Sequence, residues 1–130
     1  MNKNRVLLVE DNEDNFELVR FLLERADFEV LAGHDGREAL DLARKELPDL
    51  ILMDLSLPGI DGWTAARELK DDPNTSHIPL LALTAHTLPG DRKRAMESGF
   101  DGYISKPIDV VNFGDTITNV LKNKPKRLID

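Results

Sequence analysis

The sequence contains no cysteine, which excludes a disulfide framework and any thiolate metal site. It also lacks long apolar runs. None approaches the roughly 18 residues that a membrane helix needs, and the run after Met1-Asn2-Lys3-Asn4-Arg5 is too short for the core of a signal peptide. The expectation is a soluble cytoplasmic protein with no membrane partner. Positive charge is in deficit: the formal net charge of -7 argues against nucleic acid as a direct partner. Lys122, Lys124, Lys126 and Arg127 do cluster, but with Pro125 among them they read as a solvated tail. Neither G-x-G-x-x-G nor the P-loop pattern is present, which speaks against a nucleotide or flavin site. His34, His77 and His86 fall in different loops at no metal-ligand spacing, which speaks against zinc. Asn74-Thr75-Ser76 matches a glycosylation acceptor by chance, since no secretory signal accompanies it.

What is present is an alternation of apolar runs with amphipathic segments. The chain has 130 residues, 41% of them hydrophobic, enough for one domain with a real core. Arg5-Val6-Leu7-Leu8-Val9 is a short continuous apolar run, as expected of a strand buried on both faces. Phe16, Val19, Leu22, Leu23 and Ala26 follow at helical spacing, and Phe28 to Ala32 is a second strand. Asp35 and Glu38 resemble a capping box before a helical stripe of Ala39, Leu40, Ala43 and Leu47. Leu50-Ile51-Leu52-Met53 is a third strand ended by Asp54, and Met53 reads as core. A turn-rich loop leads to a short helix carrying Trp63, Ala66 and Leu69 on its inward stripe. Pro79 to Leu83 is a fourth strand. Asp91 to Ser98 is a short exposed helix stopped by Gly99, and its Arg92-Lys93-Arg94 is either a docking patch or a solvated face. Tyr103-Ile104-Ser105 is a weak fifth strand, and Val110, Phe113, Gly114, Ile117, Val120 and Leu121 form the stripe of the last helix.

Strands joined through helices run parallel with right-handed crossovers. The expected fold is α/β: a doubly wound (βα)5 domain with a five-stranded parallel sheet, flavodoxin-like if the strands take the order 2-1-3-4-5. Residues 1–122 are expected to form the domain and 123–130 a short basic tail, with no internal repeat or linker. In that order, strands one and three are neighbours where the strand order reverses, the usual ligand crevice. Glu10, Asp11 and Asp54 then converge there, with Thr84 after strand four and Lys106 after strand five. Three carboxylates in one crevice repel each other and raise pKa values unless a hard cation intervenes. Mg2+ prefers such oxygen ligands and keeps waters for a phosphoryl oxygen. Lys106 would balance charge on a transferring group, Thr84 would donate a hydrogen bond to it, and Asp54 is the candidate nucleophile. The plainer readings are that Glu10 and Asp11 cap the first helix, and that His86 is a solvated loop residue near the pocket mouth.

The sequence resembles the response-regulator receiver family over almost the whole chain. The resemblance is carried by Val9-Glu10-Asp11-Asn12, Leu52-Met53-Asp54, Leu57-Pro58-Gly59-Ile60-Asp61-Gly62, Leu83-Thr84-Ala85 and Tyr103-Ile104-Ser105-Lys106-Pro107, in order and correctly spaced. Glu10-Asp11-Asn12-Glu13-Asp14-Asn15 and the Gly102–Pro107 stretch look most like stand-alone regulators of the DivK type and the receivers of hybrid kinases. The resemblance implies that Asp54 takes phosphoryl from a phosphohistidine on a histidine kinase or phosphotransfer protein. It implies that Asp11, Asp54 and the backbone carbonyl of Ser56 ligate Mg2+ directly, and that Glu10 holds the ion through water. Thr84 and Lys106 would bind the phosphoryl oxygens, Thr84 and Tyr103 would shift together as the switch, and the bond before Pro107 would be cis. The implied function is a phosphoacceptor switch, not a turnover enzyme, that acts on a downstream protein target. A monomer is expected, with dimerisation on phosphorylation as the alternative. A phosphohydrolase acting through aspartyl phosphate would share the site chemistry, but no insertion here builds a cap over a substrate.

Overall fold

A computed structural model describes residues 3–55, 62–84 and 91–122. Along the chain, strands and helices alternate: β1 (Arg5–Val9), α1 (Glu13–Arg25), β2 (Glu29–Gly33), α2 (Gly36–Glu46), β3 (Leu50–Asp54), α3 (Gly62–Asp71), β4 (Leu80–Thr84), α4 (Asp91–Glu97), β5 (Gly102–Ser105) and α5 (Phe113–Lys122). The sheet is parallel throughout, as the alternation predicts, and its order is β2-β1-β3-β4-β5, the flavodoxin-like one. β3 and β4 are buried along their whole length and β1 along all but its first residue, while the edge strands β2 and β5 are partly exposed. This explains why the central strands read as unbroken apolar runs.

Side chains alternate between two cores, as the two-residue period of a strand requires. Leu7, Val9, Ile51, Met53, Leu80 and Ala82 meet Ala39, Leu40 and Ala43 of α2, Ala65, Ala66 and Leu69 of α3, and Ala95 of α4. Val6, Leu8, Leu50, Leu52, Leu81 and Leu83 meet Phe16, Val19, Leu22 and Leu23 of α1 and Phe113 and Ile117 of α5. No helix among the described residues is long and apolar enough to cross a membrane.

Helix ends depart from the apolar stripes in two places. Leu47 does not continue the buried stripe of α2: it is the C-cap, left-handed at φ 46°, and 49% exposed. Pro48 follows it, and the residue before a proline is excluded from the right-handed helical region. Leu47→Gly is therefore expected to raise stability by about 0.5–1 kcal/mol, because glycine occupies that region without the Cβ clash. A rise in urea midpoint at unchanged slope would show it; a fall would mean that the leucine side chain contributes packing. Val110 likewise lies before α5, not on its stripe, and is 49% exposed. Asp109 explains this, since its carboxylate accepts from the backbone N–H of Val111 (3.1 Å) and Asn112 (3.3 Å), holding a turn ahead of the helix. The Asn112 side-chain amide donates to Asp109 Oδ2 as well (2.8 Å), and that bond first, then the backbone ones, keep the Asp109 carboxyl below the usual range.

Candidate functional site

The register of the sheet brings the polar strand ends to one edge. Val9 pairs with Met53 and Asp54 with Leu83, so Glu10, Asp54 and Thr84 sit side by side just past the apolar core. Thr84 pairs with Ser105, and the Lys106 N–H donates to the Thr84 carbonyl (2.8 Å), which carries Lys106 to the same edge. The Glu10 N–H donates to the Gly33 carbonyl (3.0 Å), seating the first loop against β2.

Glu10, Asp54 and Thr84 are buried, at 1%, 4% and 1% exposure, whereas Asp11 faces solvent. The Lys106 ammonium bridges two of the carboxylates, donating to Asp54 Oδ2 at 2.9 Å and Glu10 Oε1 at 3.1 Å. One carboxylate oxygen from each of Glu10, Asp11 and Asp54 falls within 4.8 Å of the other two. That is close to the spread of about 3–4 Å that ligands of a Mg2+ ion at about 2.1 Å span. The donor set is all oxygen, contains no histidine, and so suits a hard divalent cation.

Electrostatics point the same way. Burial, then the hydrogen bond with Asp54, then the charge of Asp54 push the Glu10 carboxyl from its ordinary 4.5 up to about 7, against the opposing pull of the Asn12 N–H and Lys106. Burial works against the charged form of Lys106, but its bonds and attraction to Asp54 and Glu10 outweigh that and raise its pKa. Without metal, the Glu10 carboxyl therefore takes up its proton around neutrality, well above the usual carboxylate range. The folded state keeps on Glu10 a proton that the unfolded chain has already lost, so the contribution of this group to metal-free stability should be fully present below pH 4.5, fall as pH rises to about 7, and level off above. The fall is on the order of a few kcal/mol at most. Adding Mg2+ should displace the proton and stabilise the protein more at about pH 8 than at about pH 6. Thermal melts across pH, in chelator and in Mg2+, would check this; a Mg2+ shift independent of pH would count against it.

The helix-cap reading of Glu10 and Asp11 gives way to a residue that sequence reasoning quoted without a role. Asn12 is the N-cap of α1, its Oδ1 accepting from the Asn15 N–H at 2.9 Å. An asparagine directly before the acidic first turn Glu13-Asp14 was the available signal. This leaves Glu10 and Asp11 for the pocket. Tyr103 is half-buried on β5, opposite Ala82 and packed against the core on the α3–α4 side. The Lys106–Pro107 peptide bond is cis. Trp63 packs on that side as well, edge-on to Phe100 at 6.2 Å, with the Arg94 guanidinium 4.3 Å over its ring, so Arg94 is not merely a solvated charge. His34 stacks on Phe16 at 5.5 Å and meets Glu38 at 3.3 Å. Ser56, the loop from Leu57 to Asp61, Ala85, His86 and the 123–130 tail lie outside the described residues.

Fold and site together define a doubly wound α/β domain with an acidic, lysine-bridged pocket at the carboxyl edge of its sheet. The family model for the response regulator receiver domain matches residues 6–118, and the chain belongs to that family. It is 47% identical over 116 residues to the polar-differentiation response regulator DivK of Brucella anthropi, covering 89% of this chain and 94% of that protein. Among solved structures it is similar to the receiver domain of the sensor histidine kinase PA1611 from Pseudomonas aeruginosa PAO1, at 32% identity and TM-score 0.82, covering 95% of this chain and 98% of that one. That structure has a magnesium ion coordinated in its active-site cleft. The chemotaxis protein CheY4 of Vibrio cholerae is similar at 28% identity and TM-score 0.85, over 92% of this chain and 99% of that one. The protein is thus a DivK-like receiver domain of a two-component response regulator. Receiver domains bind Mg2+ at an acidic site and serve as phosphoacceptor switches.

Proposed function

We propose that this chain is a single-domain response regulator whose Asp54 accepts a phosphoryl group from a phosphohistidine on a histidine kinase or phosphotransfer protein, in a Mg2+-dependent reaction. Residues 1–122 act as the receiver and 123–130 as a short basic tail. The observation that carries this is the Lys106 ammonium bridging Asp54 and Glu10 inside a three-carboxylate cluster. In the reaction, an Asp54 carboxylate oxygen attacks phosphorus, the P–N bond to the imidazole breaks, and the imidazole keeps the electron pair and leaves in its neutral form by taking one proton from solvent. Lys106 moves its hydrogen bonds to the arriving phosphoryl oxygens, and the Thr84 hydroxyl donates to another. Asp11, Asp54 and the Ser56 carbonyl would hold Mg2+ directly and Glu10 would hold it through water, and the ion would supply charge neutralisation for the transfer. Hydrolysis of the acyl phosphate resets the site slowly.

The output is altered binding to a downstream protein. Thr84 moves toward the phosphorylated Asp54, and Tyr103 turns into the space vacated, changing the face built from α4, β5 and α5. Thr84→Ala is expected to accept phosphoryl within about tenfold of the wild-type rate but to lose most of the coupling, a loss of about 1–3 kcal/mol. NMR shifts on β5 and α4 upon beryllofluoride binding would measure it. Wild-type shifts in the variant would sink the coupling role.

The reading itself is tested by intact-protein mass after incubation with acetyl phosphate, with Mg2+ and with chelator. One phosphoryl adduct that requires Mg2+ is expected. No adduct, together with no beryllofluoride binding, would overturn the proposal.

A further inference from the structure

Gly62 opens α3 directly against the end of β3. A Cβ added there would lie 2.9 Å from the Asp54 carbonyl oxygen and 3.0 Å from the Leu55 Cα, with Leu55 Cδ2 at 3.3 Å. The two nearest atoms are backbone and cannot swing aside as a side chain would. Neither partner has slack. On one side, Ala65, Ala66 and Leu69 bury α3 in the core, and Lys70 ties its end to the Ile78 carbonyl (2.9 Å) and Asp101 (2.8 Å). On the other, Asp54 is paired with Leu83, and the Leu55 N–H donates to the Leu83 carbonyl at 3.3 Å. Leu55 is itself only 3% exposed.

We propose that Gly62 is a positioning residue for Asp54: its bare Cα lets the first turn of α3 brace the Asp54–Leu55 peptide and hold the carboxylate against Lys106 and Glu10. This rests on the reading of Asp54 as the phosphoryl acceptor. A side chain at 62 pushes on the peptide that carries the nucleophile, and the 2.9 Å and 3.1 Å bonds of Lys106 leave little tolerance for a shift.

The test compares wild type, Gly62→Ala and Gly114→Ala. Gly114 is a glycine of similar tightness, where a Cβ would lie 3.0 Å from the Ala26 Cβ, but it sits in the α1–α5 contact. Phosphoryl uptake from acetyl phosphate at saturating Mg2+ is followed by intact mass and divided by the folded fraction from circular dichroism. Gly62→Ala is expected to be at least about tenfold slower per folded molecule, and Gly114→Ala within about twofold of wild type. If Gly62→Ala folds poorly, the measurement is repeated in trimethylamine N-oxide, which favours the compact state; the fold should return and the rate should not. The proposal is overturned if Gly62→Ala matches wild type per folded molecule, if the osmolyte restores its rate, or if Gly114→Ala slows equally. A wild type that takes no phosphoryl would instead remove the reading of Asp54 on which the proposal rests, and only the wild-type arm reports that.

Discussion

Asp54→Asn should abolish the phosphoryl adduct, a loss of at least about a thousandfold, while leaving the fold intact. The amide has no anionic oxygen to attack phosphorus, and the other two carboxylates of the cluster, Glu10 and Asp11, are the ones the proposed reading assigns to holding the cation. Structure should survive because the asparagine Oδ1 can still accept from the Lys106 ammonium, now 2.9 Å from Asp54 Oδ2. Removing the Asp54 charge also removes two of the causes that raise Glu10, leaving burial. In chelator the variant should therefore melt at or above the wild-type temperature, and the stabilisation by Mg2+ should shrink. Mass spectrometry after acetyl phosphate treatment and melts with and without Mg2+ separate the two effects. An adduct on the variant would mean that the acceptor is a different residue.

Lys106→Ala should split metal binding from phosphoryl transfer. The ammonium competes with a divalent cation for the oxygens of Asp54 and Glu10, so deleting it should leave Mg2+ affinity unchanged or tighter. The rate of phosphoryl uptake should nevertheless fall by about a hundredfold, because a preorganised donor to the transferring oxygens is gone. Without metal, the variant leaves buried Asp54 without its ammonium partner, at a cost of about 1–3 kcal/mol. Glu10 adds less, since loss of the lysine drives it further toward its neutral form. Mg2+ should restore most of that stability. Calorimetric titration with Mg2+, urea melts and uptake rates together check the set, and a variant that no longer binds Mg2+ would refute the assignment of Lys106 to the phosphoryl group.

Much of this was legible in the residues. β1, β3 and β4 are buried on both faces, so their apolar runs stand out without any need to know their partners. Glu10, Asp11, Asp54, Thr84 and Lys106 stand at or just after strand ends, where an open parallel sheet presents its ligand edge. The misplacements are all at element ends: β2 and β4 begin one residue later than the apolar runs from Phe28 and Pro79 suggest, and the larger departures are at helix ends. Leu47 and Val110 continue an apolar stripe by spacing, yet Pro48 stops one helix and the Asp109 turn delays the other. Periodicity reports which face is apolar; it says little about where the backbone hydrogen bonds are capped. Arg94 was ambiguous for a different reason: a charge on a short helix reads as solvated until a tertiary neighbour, here Trp63, is known.

The sequence by itself determined the element order, the parallel doubly wound topology and the identity of the polar residues at the strand ends. These follow from local pattern and from the chirality of crossovers, which need no long-range coordinates. Only the tertiary structure decided that Lys106 touches both Glu10 and Asp54 across separations of 96 and 52 residues. It alone showed that Glu10 is buried beside Asp54, which pushes its carboxyl up to about 7, and that a Cβ at Gly62 would meet the Asp54 carbonyl oxygen at 2.9 Å and the Leu55 Cα at 3.0 Å. Contact, desolvation and close approach depend on how packed elements meet in space, and no spacing along the chain encodes them directly.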